Sequence, residues 1–172
     1  CLAVAMRIDA AGNKIDHAFH RGLMKSVASL NYEEVQAAVD GQPNDKTAPL
    51  MDDIITPLYD AFAALMKARA QRQPLELDLP ERQIVLDDNG KVISVQYKER
   101  LDAHRLIEEF MVLANVAAAE TLVAKKSPLL FRVHEEPSPE KLEALREVAT
   151  ASGLVLAKGQ VLKTAHLNKL LK

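Results

Sequence analysis

The stretch RLDAHRLIEEFMVLANVAAAETLVAKK, residues 100–126, decides how the rest of the chain is read. Its Leu106, Ile107, Phe110, Met111, Leu113, Ala114, Ala117, Ala118 and Leu122 recur at steps of three and four residues, which lays a broad apolar stripe along one side of a helix. The pattern predicts a buried helix against which the other elements pack, its alanine-rich second half open to close approach by another backbone. Glu108 does not fit that picture. It shares a face with Met111, Val112 and Asn115 at offsets of three, four and seven, so its carboxylate is expected to be partly desolvated and to need a partner. Either neighbouring backbone or a salt bridge satisfies it, or it is a polar contact for a ligand. Glu109, four residues after Arg105, has the spacing of a surface ion pair.

Working outward, residues 2–8 alternate as a strand with Leu2, Val4, Met6 and Ile8 on one side, and residues 14–19 read as its hairpin partner across Gly12-Asn13. Asn31 and Glu34 have the form of a capping box that starts a short helix ending near Asp40. Residues 50–72 carry Leu50, Ile54, Leu58, Phe62, Leu65 and Met66 at helical spacing, with Pro57 either bending the helix or splitting off its first turns. From Pro74 the period becomes two: Leu75, Leu77 and Leu79 alternate with acids, residues 84–86 continue the theme, Asp87-Asp88-Asn89-Gly90 turns the chain, and residues 92–97 return. Beyond the central helix, residues 129–134 read as a strand. Ser138-Pro139-Glu140 starts a helix that Gly153 ends, residues 155–161 suggest a small ribbon around Gly159, and Thr164 caps a last helix. The class is α+β, read as one unit over residues 1–172 without a dividing linker.

The 172 residues are 48% hydrophobic and carry a single cysteine, Cys1, which excludes an internal disulfide and agrees with a reducing, cytoplasmic setting. No run has the roughly 18 uninterrupted apolar residues of a membrane span, so no membrane partner is expected. A net charge of −2 argues against general electrostatic binding of nucleic acid, although Arg7, Arg21 and Lys25 with His17 and His20 make the first segment locally basic. The opening CLAVAMRID, apolar and alternating, reads as a start inside a domain, and the chain is expected to be a fragment.

Motifs of catalysis are missing from these residues. The five histidines never take a zinc spacing, and there is no HExxH, phosphate loop or nucleophile elbow. Asp52-Asp53, Asp87-Asp88 and Glu135-Glu136 each have a structural explanation, at a helix start, in a turn and before a proline.

Five segments carry a resemblance. HRLIEEFMVLANVAAAETL (104–122) and LLFRVHEEPSPEKLEALRE (129–147), preceded in order by CLAVAMRIDAAGNKIDHAFHRG (1–22), SLNYEEVQAAVDG (29–41) and LDLPERQIVLDDNGKVISV (77–95), are similar to the central part of the catalytic domain of the ribonuclease II and ribonuclease R family, nearer the ribonuclease R branch. The resemblance implies a processive exoribonuclease that degrades single-stranded RNA from its 3′ end to nucleoside monophosphates, in a monomeric parent, with magnesium held by aspartates of a motif DxxxxxDxDDA. That motif does not occur in these residues, so no catalytic or metal-binding residue is assigned to them. The resemblance further implies that Tyr32 packs near the 3′-terminal nucleotides and that Glu108, the first acid of IEEF, contacts the terminal ribose; where the family has a base-stacking phenylalanine this chain has Leu77, which offers apolar contact instead. A ring that stacks and a carboxylate that accepts from a 2′-hydroxyl suit RNA chemistry. Three classes remain open: the middle of a magnesium-dependent exoribonuclease, an RNA-binding module without the metal site, or a structural domain. The isolated residues are expected not to hydrolyse RNA and to bind it weakly.

Overall fold

A computed structural model describes residues 1–77, 79, 81–156, 164, 167 and 168. Contacts divide the chain into two compact units, Cys1–Arg72 with Leu79–Ser127, and Gln73–Asp78 with Pro128–Lys172. The first unit contains β1 (Leu2–Ile8), β2 (Lys14–Arg21), α1 (Tyr32–Val39), α2 (Thr56–Arg72), β3 (Arg82–Leu86), β4 (Val92–Tyr97) and α3 (Asp102–Ala124). The described part of the second contains α4 (Pro139–Ala151). The two small antiparallel sheets are the hairpins β1-β2 and β3-β4. The α+β class holds.

Local chemistry explains the turns. In both hairpins an aspartate opens the reversal and a glycine three residues on takes a left-handed φ, +84° at Gly12 and +79° at Gly90. Asp9 Oδ1 accepts from the Ala11 and Asn13 amides, and Asp87 Oδ1 from those of Asn89 and Lys91. These Asx turns shift the register at Arg7/Ile8 and at Val85/Leu86, the extra residue of a bulge. Hydrogen bonds from Asn13, foremost its side-chain amide, hold the Asp9 carboxyl below the usual carboxylate range.

Helix ends follow the same logic. Ser138 caps α4, with Pro139 at its first position and Gly153 in the left-handed region after its end. Leu154 N–H reaches the Ala149 carbonyl and Gly153 N–H that of Thr150, a Schellman closure. α3 closes identically, Ser127 to Leu122 and Lys126 to Val123, but with Lys126 rather than glycine at φ +51°. Pro57 splits the long helix. Ala48–Leu50 is 3₁₀, Met51–Ile55 is π-helical, and α2 begins at Thr56, because proline has no amide to continue the ladder.

Three ties hold α3 in the first unit. At its N-terminus the Ala103 amide donates to Gln36 Oε1 of α1 at 3.1 Å. Midway, Glu109 meets Arg69 and Arg72 of α2. Toward its C-terminus, Thr121 donates to the Ala117 carbonyl, so its oxygen accepts from His17 Nε2–H of β2 at 2.6 Å, while Lys14 bridges His17 Nδ1 and Glu120.

Several expectations change. α3 is buried on one side only: Ala103, Leu106, Glu109 and Ala117 are covered, whereas Met111 is 60% exposed and Ile107, Val112, Val116 and Val123 also face outward. Residues 75–77 form no strand; the first arm of the second hairpin begins at Arg82. Residues 129–134 form no strand either, with Leu130, Phe131 and Val133 exposed. Alternation marks a two-faced segment, but a strand also needs a partner edge. The expected ribbon around Gly159 and most of the last helix lie outside the described residues; Thr164 itself donates its hydroxyl to the Gln73 carbonyl at 2.7 Å.

Candidate nucleic-acid interface

Tyr32 is the first residue of α1, and the cap in front of it sets its place. Asn31 Oδ1 accepts from the Glu34 amide at 2.7 Å, and the Asn31 amide donates to Glu34 Oε2 at 3.1 Å. This is the expected capping box. Lys46 donates to the other Glu34 oxygen at 2.9 Å, and that bond, with the Asn31 amide, lowers the Glu34 carboxyl below its ordinary value. The box therefore keeps its charged acceptor to a lower pH than a free glutamate would.

From this position the Tyr32 ring stacks on His104, in the first turn of α3, with centroids 4.1 Å apart and planes 23° from parallel. His104 Nδ1 accepts from the Leu101 amide at 3.2 Å, occupying a donor that the helix start leaves without an intrahelical partner. Glu108 is four residues after His104, one turn along the same face, where Cβ atoms lie about 5–6 Å apart. The fold thus brings Tyr32 against His104 where α1 meets α3, and Glu108 follows one turn along α3.

Glu108 is half covered. Its side chain is 45% exposed and pairs with Arg100, itself 38% exposed. Glu109 holds the buried place instead: at 4% exposure it meets Arg69 at 2.6 Å and Arg72 at 3.2 Å, while Arg105 turns to Asp102. A surface pair between Arg105 and Glu109 is therefore incorrect. Arg69 and Arg72, three apart on α2, are the only sequence signal for a buried acid opposite, and nothing local links them to α3. The exposed Arg100–Glu108 pair leaves the carboxylate accessible to a competing hydroxyl, since such pairs are worth at most about 1 kcal/mol.

Beside the Tyr32 ring lies an apolar cavity of about 380 Å³, lined among others by Val35, Ile54, Leu58, Tyr59 and Ile107. Tyr59 packs edge-on against Phe62 at 6.1 Å, and its buried hydroxyl has no hydrogen-bond partner among the described residues. Burial, and then the charges of Asp102 and Asp40, push this phenol above its ordinary pKa. Removing an unpaired hydroxyl removes a desolvation cost, so Tyr59→Phe is expected to leave stability unchanged or raise it by up to about 1 kcal/mol. A loss above that in urea denaturation would show a partner for the hydroxyl.

Leu77 belongs to the second unit, half-exposed in a stretch without regular structure. Its neighbour Glu76 donates its amide to Asn168 Oδ1, and Asn168 Nδ2 donates to the Pro74 carbonyl, both at 2.8 Å. These bonds fix the backbone on which Leu77 stands.

No group of three or more His, Cys, Asp or Glu converges among the described residues. Asp87 is engaged in its turn, and Asp52 and Asp53 lie on the π-helical segment. No helix among the described residues is long and apolar enough to cross a membrane.

The fold is α+β, and among the described residues the Tyr32–His104 stack is accompanied by no cluster of metal-ligating side chains. The chain belongs to the RNB domain family, whose model matches residues 1–172. It is 31% identical over 161 residues to ribonuclease R of Escherichia coli, covering 92% of this chain and 20% of the relative. To ribonuclease R of Thermotoga maritima it is 30% identical over 172 residues, covering 99% and 24%. The chain thus spans between a fifth and a quarter of the length of these curated relatives. The fold matches that of Mycoplasma genitalium RNase R in complex with double-stranded RNA, with a TM-score of 0.83 at 22% identity over 99% of this chain and 31% of the other. The same enzyme with ribose-methylated single-stranded RNA gives 0.79 at 23% identity, covering 99% and 28%.

Proposed function

We propose that these residues are the central part of the catalytic domain of a processive 3′ to 5′ exoribonuclease, releasing nucleoside monophosphates from single-stranded RNA in the cytoplasm. The observation that carries the reading is the RNB match across the whole chain, residues 1–172. The Tyr32–His104 stack at the start of α3 and the half-exposed Glu108 carboxylate one turn later on that helix support it. In this reading Tyr32 provides a wall for the terminal nucleotides, Glu108 accepts from a ribose hydroxyl, and Leu77 supplies apolar contact. Magnesium, which the resemblance implies, has no donor set among the described residues, and no step is derived through it. The 172 residues by themselves are inactive in this reading.

Discrimination between RNA and DNA is the test. In the intact protein, Glu108→Ala or Tyr32→Ala is expected to narrow the preference for RNA over DNA ends by about 1–3 kcal/mol, the range of a charge-assisted hydrogen bond. Glu109 is unsuited as a control because it is buried in an ion pair. Asp88, exposed in the β3-β4 turn, replaces it, and Asp88→Ala should leave the preference unchanged. Competition between RNA and DNA oligonucleotides of one sequence measures all three. Equal effects, or none, would return Glu108 and Tyr32 to structural roles; no hydrolysis of RNA by the intact wild type would reject the enzyme.

A further inference from the structure

We propose that His104 is a positioning residue for nucleotide recognition, holding the Tyr32 ring from behind so that its open face and Glu108 meet the same nucleotide. The inference rests on the RNA-directed reading above. Tyr32 is 41% exposed at a helix start, where a ring without a neighbour samples several rotamers. The stack at 4.1 Å removes that freedom on one face, while Tyr32 as a whole keeps 41% of its exposure. The imidazole can do this because it is itself fixed. With Nδ1 accepting from the Leu101 amide, the ring cannot turn about its χ2 without abandoning that donor at the helix start. Glu108 follows one turn later on the same helix, so one rigid element sets both the ring and the carboxylate. Neither contact is visible as a motif, since Tyr32 and His104 are joined only by the docking of α1 on α3.

A ring that orders another before substrate arrives acts on binding in ground and transition states alike, so its loss appears in KM rather than kcat. In the intact protein, His104→Ala is expected to raise KM for single-stranded RNA roughly 3- to 10-fold, the equivalent of losing one aromatic stack, with kcat little changed. His104→Phe keeps a flat ring but loses the Nδ1 acceptor that fixes it, and should restore only part of the affinity. In a Tyr32→Ala background, His104→Ala should add nothing, because the ring it orders is gone. A reading without RNA accompanies these: with fluorotyrosine incorporated and the Tyr32 signal assigned by Tyr32→Phe, the ¹⁹F resonance should move in His104→Ala and move less in His104→Phe. Losses from His104→Ala that are the same with and without Tyr32, or a fluorine signal indifferent to His104, would overturn the role of His104 alone. Failure of the wild type to bind RNA, with the fluorine shift present, would overturn the RNA reading and this role with it.

Discussion

Glu109→Ala is expected to destabilise the first unit by about 1–3 kcal/mol, because it removes a buried carboxylate to which two arginines of α2 donate. Glu109 is 4% exposed and bridges two arginines of α2, of which Arg69 is 18% exposed. Arg72 is 53% exposed and can reach water, which limits the total. Glu109→Gln keeps two polar atoms in place and should lose less. Glu108→Ala, one residue away, removes only the exposed pair with Arg100 and should cost less than about 1 kcal/mol. Hydrogen exchange of peptides covering α2 and α3, alongside urea denaturation, measures the contrast. Similar losses at the two glutamates would contradict the placement of Glu109 in the core.

Gly12→Ala is expected to cost roughly 2–4 kcal/mol, the sum of a left-handed backbone and an overlap that cannot relax cheaply. A Cβ at Gly12 would run into the Ala64 carbonyl group, its carbon at 2.6 Å, with Leu65 Cα at 3.0 Å. Those are backbone atoms of α2, so either the hairpin or the helix must shift. Gly90 is the matched control. It occupies the same position in the same kind of turn at φ +79°, yet nothing lies within 4 Å of a Cβ there, so Gly90→Ala should show only the backbone part, about 1–2 kcal/mol. The difference between the two isolates the seating of the β1-β2 turn on α2. Equal losses would mean that this close approach contributes nothing to stability.

The candidate site was legible in unequal parts. Tyr32 and Glu108 come from the resemblance, whereas the spacing of His104 to the other histidines suits no metal and nothing else in the sequence marks it. What makes His104 informative is a ring 72 positions away in sequence, and no local pattern reports such a contact. Leu77 lies in the second unit, on backbone tied to Asn168.

Residues that act on their immediate neighbours could be read directly. The Asn31–Glu34 box, the Ser138-Pro139 start, the Gly153 stop and the Asp-to-Gly turns of both hairpins all close hydrogen bonds within five residues, so composition alone specifies them. Tertiary structure decided the rest, because the free energy involved depends on what lies opposite. Of two adjacent acids in IEEF, the one that faces Arg69 and Arg72 is buried and the other stays at the surface. The alternating residues 129–134 pair with no strand, whereas those from Arg82 find an edge across their own turn. Periodicity reports that a segment has two faces; only the partner across the interface determines which face is buried, which charge is paired and which ring is held.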